Sequence, residues 1–436
     1  MTTTGIAILI AAVTLIVLLL SGLYIHSMLL AVGVVGILAL GKGALLSGLL
    51  SYTTYTTVAV YSMTTIPLYV LCAQLILEAG VVEDLFNILY NISHGRRGVL
   101  GAFCSILGAF LGAVCGSGTA TSAALGQAAY PQLVKRGYKS ELAAAVSASA
   151  GSLAGVIPPS VTLIVYGITT ETPIGRLFVA SLVPGILTTC VFIGCTLFFL
   201  GRDKKSGAVV EEFKPVHVER KHAIVSITVA CIIAITIFGG IYSGFMTATE
   251  AGAVSATVAF ICALCLGKVT KSFIVKSAKS TVSITAMVML IMIGAKIFGK
   301  FMSLSKISDR FVQALEPLMD NPRIILVICI IVYFVLFMLM EGTAVIVMTT
   351  PVLLPVMNQM GIDMLWFGII VCFCCVIGQL TPPVGVCVYS VCGTAGIPVE
   401  GAFSKSIVFA IAATVIVGGL IVLFPQVVTY LPSMMG

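Results

Sequence analysis

"GAVCGSGTATSAALG", residues Gly112–Gly126, interrupts a long apolar run with glycine, serine and threonine and carries no charge. At membrane depth an uncovered break leaves backbone N–H and C=O groups unpaired, at several kcal/mol each. The surrounding chain puts it at that depth. Of 436 residues, 59% are hydrophobic and 9% charged, and the mean hydropathy is +1.18. Soluble domains are about 45–50% apolar and about 25% charged. A water-soluble core is excluded, and a polytopic, all-α membrane protein is expected.

The apolar start, Gly5–Leu20, lacks a basic n-region and a small-residue cleavage site, so it reads as a first span rather than a removed signal. Further spans are expected near Ser27–Leu40, Val58–Leu77, Leu142–Thr169, Leu177–Leu200, Ala223–Ile241, Thr247–Gly267, Ser280–Ile297 and Ile407–Val428. Gly98–Pro131, Ile324–Pro355 and Met364–Thr394 are apolar but broken in the middle.

With the loop Gly201–His222 placed in the cytoplasm, alternation puts 16 of the 23 Lys and Arg on that side. Lys42, Arg176, Lys296, Lys300, Lys306, Arg310 and Arg323 stay outside, and both termini face the periplasm. The net charge of +7 is thus a matter of topology, and no nucleic-acid partner is implied. The 14 cysteines lie mostly inside apolar runs and read as small buried hydrophobes. The one C-x-x-C, Cys262 to Cys265, has no second pair and no nearby histidine.

A second copy of the opening stretch lies 224 residues on. Gly118, Thr119 and Ala120 match Gly342, Thr343 and Ala344; Pro131 matches Pro355; Pro158–Pro159 match Pro382–Pro383. Five crossings separate the two copies, and an odd number makes the second enter from the opposite face. Inverted repeats with discontinuous helices are the architecture of secondary transporters, whose site lies between the repeats near the midplane.

Thr119–Pro131 is 13 residues, about 20 Å of helix, against a bilayer core of about 30 Å. That arm cannot cross, nor can Thr343–Pro355. Each region reads as a re-entrant hairpin, with tips at Gly116–Gly118 and Met340–Ala344, although the arm Gly98–Cys115 is long enough to be a crossing instead. The proline pairs each split a span into half-helices with unwound backbone between. Two tips and two breaks then meet. C-terminal carbonyls of half-helices suit a cation, N-terminal N–H groups suit an anion, and glycine permits the turn.

These residues assign a first cation site to Gly116, Ser117, Gly118, Gly155 and Pro158, and a second to Glu341, Gly342, Thr343, Gly378, Thr381 and Pro382. Substrate contacts are expected from Thr119, Ser122, Ser160, Thr162, Thr343 and Gly385. Glu341 is a carboxylate at a tip, functional by default unless the tip tilts into water. Glu250 reads as a helix-start cap and Lys296 as a snorkelling lysine, and a valine at Gly126, on the first hairpin but away from its tip, should be milder than one at Gly118 if the position tolerates the volume.

The domain reading is scaffold helices over 1–65, a first repeat over 66–200 (hairpin 98–131, broken helix 142–169), a basic loop over 201–222, scaffold helices and an amphipathic connector over 223–300, and an inverted repeat over 301–436 (hairpin 324–358, broken helix 363–394).

At these residues the chain resembles the large membrane subunit (M, or DctM-like) of tripartite ATP-independent periplasmic (TRAP) transporters. The stretches that carry the resemblance are "IPLYVLCAQLILEAGVVEDLF" (Ile66–Phe86), "GSGTATSAALG" with "PQLVKRGY" (Gly116–Tyr138), "GSLAGVIPPSVTLIVYG" (Gly151–Gly167), "TATEAGAVSA" (Thr247–Ala256), "MEGTAVIVMTTPVLLPV" (Met340–Val356) and "GQLTPPVGVCVY" (Gly378–Tyr389). The resemblance implies an elevator-type ion-transporter fold in a bacterial inner membrane. It also implies sodium-coupled import of a small organic anion, a carboxylate or sulfonate, with Na+ as the coupling ion and no other cofactor. The implied partners are a periplasmic substrate-binding protein and a small four-helix membrane subunit on a separate chain.

Catalysis is not expected. A rhomboid-like protease needs a histidine beside its serine, whereas His26, His94, His217 and His222 fall at span ends or in loops. No G-x-x-x-x-G-K-[ST] supports an ATP-driven pump. The alternative is a standalone divalent-anion/sodium symporter of related architecture that needs no binding protein.

Overall fold

The computed structural model describes residues 3–202, 215–307, 309–310, 313 and 322–434. Positions 203–214 of the expected basic loop, and the mouth of the second hairpin before Pro322, lie outside the described residues. Backbone in lipid must satisfy its own N–H and C=O groups, which favours helix wherever an apolar run is long enough. The described residues are helical, with no strand among them. Seven of their helices are long and apolar enough to cross a membrane. Two of the seven, Arg97–Cys115 and Gly342–Gln359, are arms of the expected hairpins, and the pair Gly43–Val58 and Tyr61–Glu78, bent by 59°, reaches the same length and hydropathy when taken together. The protein is multi-pass.

Among the described residues the helices pair in the same order along the two halves of the chain, at an offset within about seven residues of 224. Thr3–Leu20 pairs with Arg220–Tyr242, Ile25–Ala39 with Ala248–Cys265, and the bent pair with the long helix Lys271–Leu304. The hairpin arms Arg97–Cys115 and Gly118–Lys135 pair with Pro322–Leu339 and Gly342–Gln359, the latter to the residue. The half-helices Ser140–Ser152 and Val161–Thr170 pair with Met364–Gly378 and Val386–Ala395, and Ile174–Arg202 pairs with Val399–Leu423. Residue identity carries the repeat from Gly118 to Pro159, whereas helix bounds carry it from the first helix. A span facing lipid is held to a length and an apolar surface, not to particular side chains.

The two copies exchange partners. Gly118–Lys135 packs on its own copy's Ser140–Ser152 and on the other copy's Val386–Ala395. Gly342–Gln359 packs on its own Met364–Gly378 and on the other copy's Val161–Thr170. In this crossed pattern each hairpin is lodged between half-helices of both copies. Small residues let the backbones close up: an added Cβ at Gly112 would stand 2.8 Å from the Ala154 α-carbon. One asymmetry stands out against the repeat. The first copy bends by 59° where the second is one continuous helix of 34 residues.

Candidate functional site

Each hairpin turns in two residues. In the first, Gly116 has φ +63°, a left-handed conformation that ends the helix and that glycine adopts without steric cost. The extended Ser117 precedes the second arm. The Gly116 carbonyl accepts the Val161 amide at 3.1 Å, so the tip is joined to the restart of the first broken span. Across that break Ser160 Oγ donates to the Gly155 carbonyl at 3.1 Å. Ser117 Oγ and Thr119 Oγ1 lie 3.1 Å apart. Gly116, Ser117, Thr119, Gly155, Pro158 and Ser160 are therefore gathered about one break. Ser122, further along the arm, is buried against Gly151.

The second tip is built on a carboxylate. Glu341 accepts the amides of Thr343 at 2.9 Å and Ala344 at 3.4 Å, and the Thr343 hydroxyl at 3.0 Å. The partial positive charge of a helix start favours an anion there. In the first copy the equivalent Ser117 makes no side-chain cap bond. The Met338 carbonyl faces the amides of Val384 and Gly385 at 3.3 and 3.4 Å, mirroring the Gly116–Val161 join. Thr381 donates its hydroxyl to the Ile377 carbonyl at 2.7 Å and its amide to Gly378 at 3.0 Å, just before Pro382.

Two expected site residues stand on packing faces. A Cβ on Gly378 would come within 2.5 Å of Phe337 Cβ in the neighbouring hairpin arm. Gly385, at φ +48°, has the Phe403 ring 2.5 Å from where a Cβ would stand. Gly126 is no tolerant position either: its Cβ would meet Thr394 Oγ1 at 2.2 Å and the Val391 α-carbon at 3.2 Å. The hairpin is as tightly held along its arm as at its tip. Glu250 does cap its helix, in a reciprocal capping box with Thr247.

One residue that links the tips was not singled out from the sequence. Gln379 takes the place in the second copy that Gly155 holds in the first, and it is 4% exposed. Its Nε2 donates to Cys375 Sγ and its Oε1 accepts from Cys387 Sγ, each at 3.0 Å. An added Cβ on Gly118 would lie 2.4 Å from Gln379 Oε1. On Gly342 it would lie 2.6 Å from Cys375 Sγ, 3.5 Å from Thr162 Oγ1 and 3.7 Å from Gln379 Nε2. Gly118, Gln379, Gly342 and Thr162 thus form one contiguous line from tip to tip. The available signal was the lone amide in "VIGQLTPP", Val376–Pro383, an apolar broken span.

The model of a family described as the DctM component of tripartite ATP-independent periplasmic transporters matches residues 12–427. The chain belongs to the DctM family. This DctM-family chain is 29% identical over 382 residues to the sialic acid TRAP transporter large permease SiaM of Vibrio cholerae, covering 86% of this chain and 87% of that one. It is 29% identical over 379 residues to the C4-dicarboxylate large permease DctM of Pseudomonas aeruginosa, covering 86% and 85%. Against the isethionate TRAP permease DctMQ of Oleidesulfovibrio alaskensis it is 31% identical over 353 residues, but spans only 54% of that protein's length. Among solved structures, the YdaH transporter of Alcanivorax borkumensis superposes with a TM-score of 0.70 at 12% identity, covering 98% of each chain. MtrF of Neisseria gonorrhoeae gives 0.63 at 9%, covering 89% and 85%. At such identities the likeness is one of fold.

Proposed function

We propose that this DctM-family chain is the sodium-coupled membrane subunit of an importer for a small organic anion, a carboxylate or sulfonate. A periplasmic binding protein delivers the anion, and a small membrane subunit accompanies the chain in the inner membrane. Both termini face the periplasm. The observation that carries the reading is the line of neutral polar groups from Gly118 through Gln379 to Gly342, where two hairpin tips meet two helix breaks. Oxygen donors suit a hard cation, and helix starts suit an anion. Neither tip contains lysine or arginine, so hydroxyls and amides hold the anion. Sialic acid, C4-dicarboxylates and isethionate, after which three of the relatives are named, are organic anions. In the elevator cycle the hairpins and broken spans move as one body against the long helix and its neighbours.

The test is uptake into proteoliposomes holding the chain and both partners. An inward sodium gradient without ATP should drive uptake, and omission of the binding protein should abolish it. Equal uptake with potassium in place of sodium would refute the coupling. Undiminished uptake without the binding protein would point instead to a standalone carrier.

A further inference from the structure

A cavity of about 880 Å³ lies away from the tips. Its walls are the bend at Val60–Met63, the end of the first broken span with its following loop, Arg176 and Lys296. A second cavity, of about 320 Å³, runs between the long helix and the second hairpin arm at Thr350 and Pro351. It shares Met292 and Lys296 with the first and adds Lys300. Lys296 therefore stands where the two cavities meet.

Lys296 is exposed and precedes the end of its helix at Leu304 by eight residues, about 12 Å. The repeat gives no reason for it, because the residues 224 earlier than Lys296 and Lys300 are Cys72 and Ile76, both buried. The 59° bend is the other departure from the repeat. Both departures converge on one cavity. Glu171 also lines it, yet among the described residues no carboxylate lies within ion-pair distance of Lys296, Lys300 or Arg176. The wall carries two cations, Lys296 and Arg176, against one carboxylate, Glu171, beside the hydroxyls of Thr53, Thr57 and Thr249.

We propose that this cavity is a second anion site, distinct from the hairpin tips, in which Lys296 and Arg176 hold a carboxylate or sulfonate group. It rests on reading the chain as an organic-anion carrier: the anion waits on the scaffold wall before the hairpins take it. The volume falls within the range of small-molecule sites. A cleft whose net charge is positive raises the local concentration of an anion. Lys296 is thus a ligand for the waiting anion rather than a snorkelling lysine.

The probe is a stilbene disulfonate bearing isothiocyanates, an organic dianion that reacts with amines, added to the purified full chain. Peptide mass spectrometry should find Lys296 modified at least about tenfold faster than Lys42, an exposed lysine outside both cavities. Millimolar succinate or isethionate should slow it. Equal rates at the two lysines, or no protection, would overturn the site. Reversible binding of the unreactive dinitro analogue should weaken about tenfold in Lys296→Gln and stay within about threefold of the native value in Lys296→Arg. If all three proteins bind alike, the assignment is wrong. Where Lys296→Gln fails to fold, labelling of the native chain decides alone. Sodium-driven uptake is a separate readout: its failure beside protected labelling would count against the transport reading and leave this site standing.

Discussion

A valine at position 118 would put its β-carbon 2.4 Å from Gln379 Oε1 and 3.2 Å from Cys387 Sγ, so the line between the tips must open. Sodium-driven uptake by Gly118→Val should fall by tenfold or more, about 1.4 kcal/mol or above. Gly126 is too tightly packed to serve as the control, whereas Gly393 has nothing within 4 Å of an added Cβ. Gly393→Val should stay within about twofold of native uptake; the opposite ranking would make the tip glycines packing residues only. Glu341 invites a second measurement. Glu341→Ala strips the acceptor from two helix-start amides, a loss of about 1 kcal/mol, and should lower the Tm of the purified protein. A ligand that binds the folded state raises Tm, so sodium should raise the Tm of the native chain more than that of Glu341→Ala, which keeps only the first cation site. If sodium raises the Tm of both equally, Glu341 is a cap and nothing more.

At the scale of the element, the arms Gly118–Lys135 and Gly342–Gln359 coincide under the repeat, and their last residues, Lys135 and Gln359, are both exposed. Inversion puts those two ends on opposite faces of the membrane. In a background cleared of the exposed Cys190, Cys231 and Cys265, an impermeant maleimide added to whole cells should label Gln359→Cys at once. Lys135→Cys should require permeabilised cells. Labelling of both from outside would refute the orientation. The turns between the arms were legible from glycine, but the length of the arms was not: both run through the expected stops at Pro131 and Pro355 to 18 residues, about 27 Å, and Gly342–Gln359 is long enough to cross a membrane. Their seating between half-helices of both copies was not legible either. Contacts such as Gly126 against Val391 join positions more than 260 residues apart.

For the whole molecule, the elevator reading requires the second hairpin to slide past the long helix. An ideal Cβ on Gly299 of that helix stands 3.4 Å from Pro351 Cβ and 3.3 Å from its Cγ. That is close to the spacing a disulfide needs, about 3.8 Å between β-carbons. The double variant Gly299→Cys, Pro351→Cys should lose uptake when oxidised and regain it on reduction. Full uptake with the cross-link complete would mean that these two bodies do not part.

The sequence by itself determined that the protein lies in a membrane, that it is built twice with opposite sense, and where the backbone must break. Those properties follow from local rules: apolar length, the backbone's need for partners in lipid, and the donor that proline lacks. It also marked Gly116, Gly118 and Gly342 as turning points, because a tight turn between two helices needs glycine or a capping group. Only the tertiary structure decided what each break faces. It assigned Gly378 to close packing against Phe337, brought Gln379 between two tips whose glycines are 224 residues apart, and set Lys296 into the wall of a cavity. None of these follows from a residue's own neighbours in the chain. Side-chain contacts across the repeat depend on how two distant copies interlock, and a one-dimensional pattern does not fix that distance.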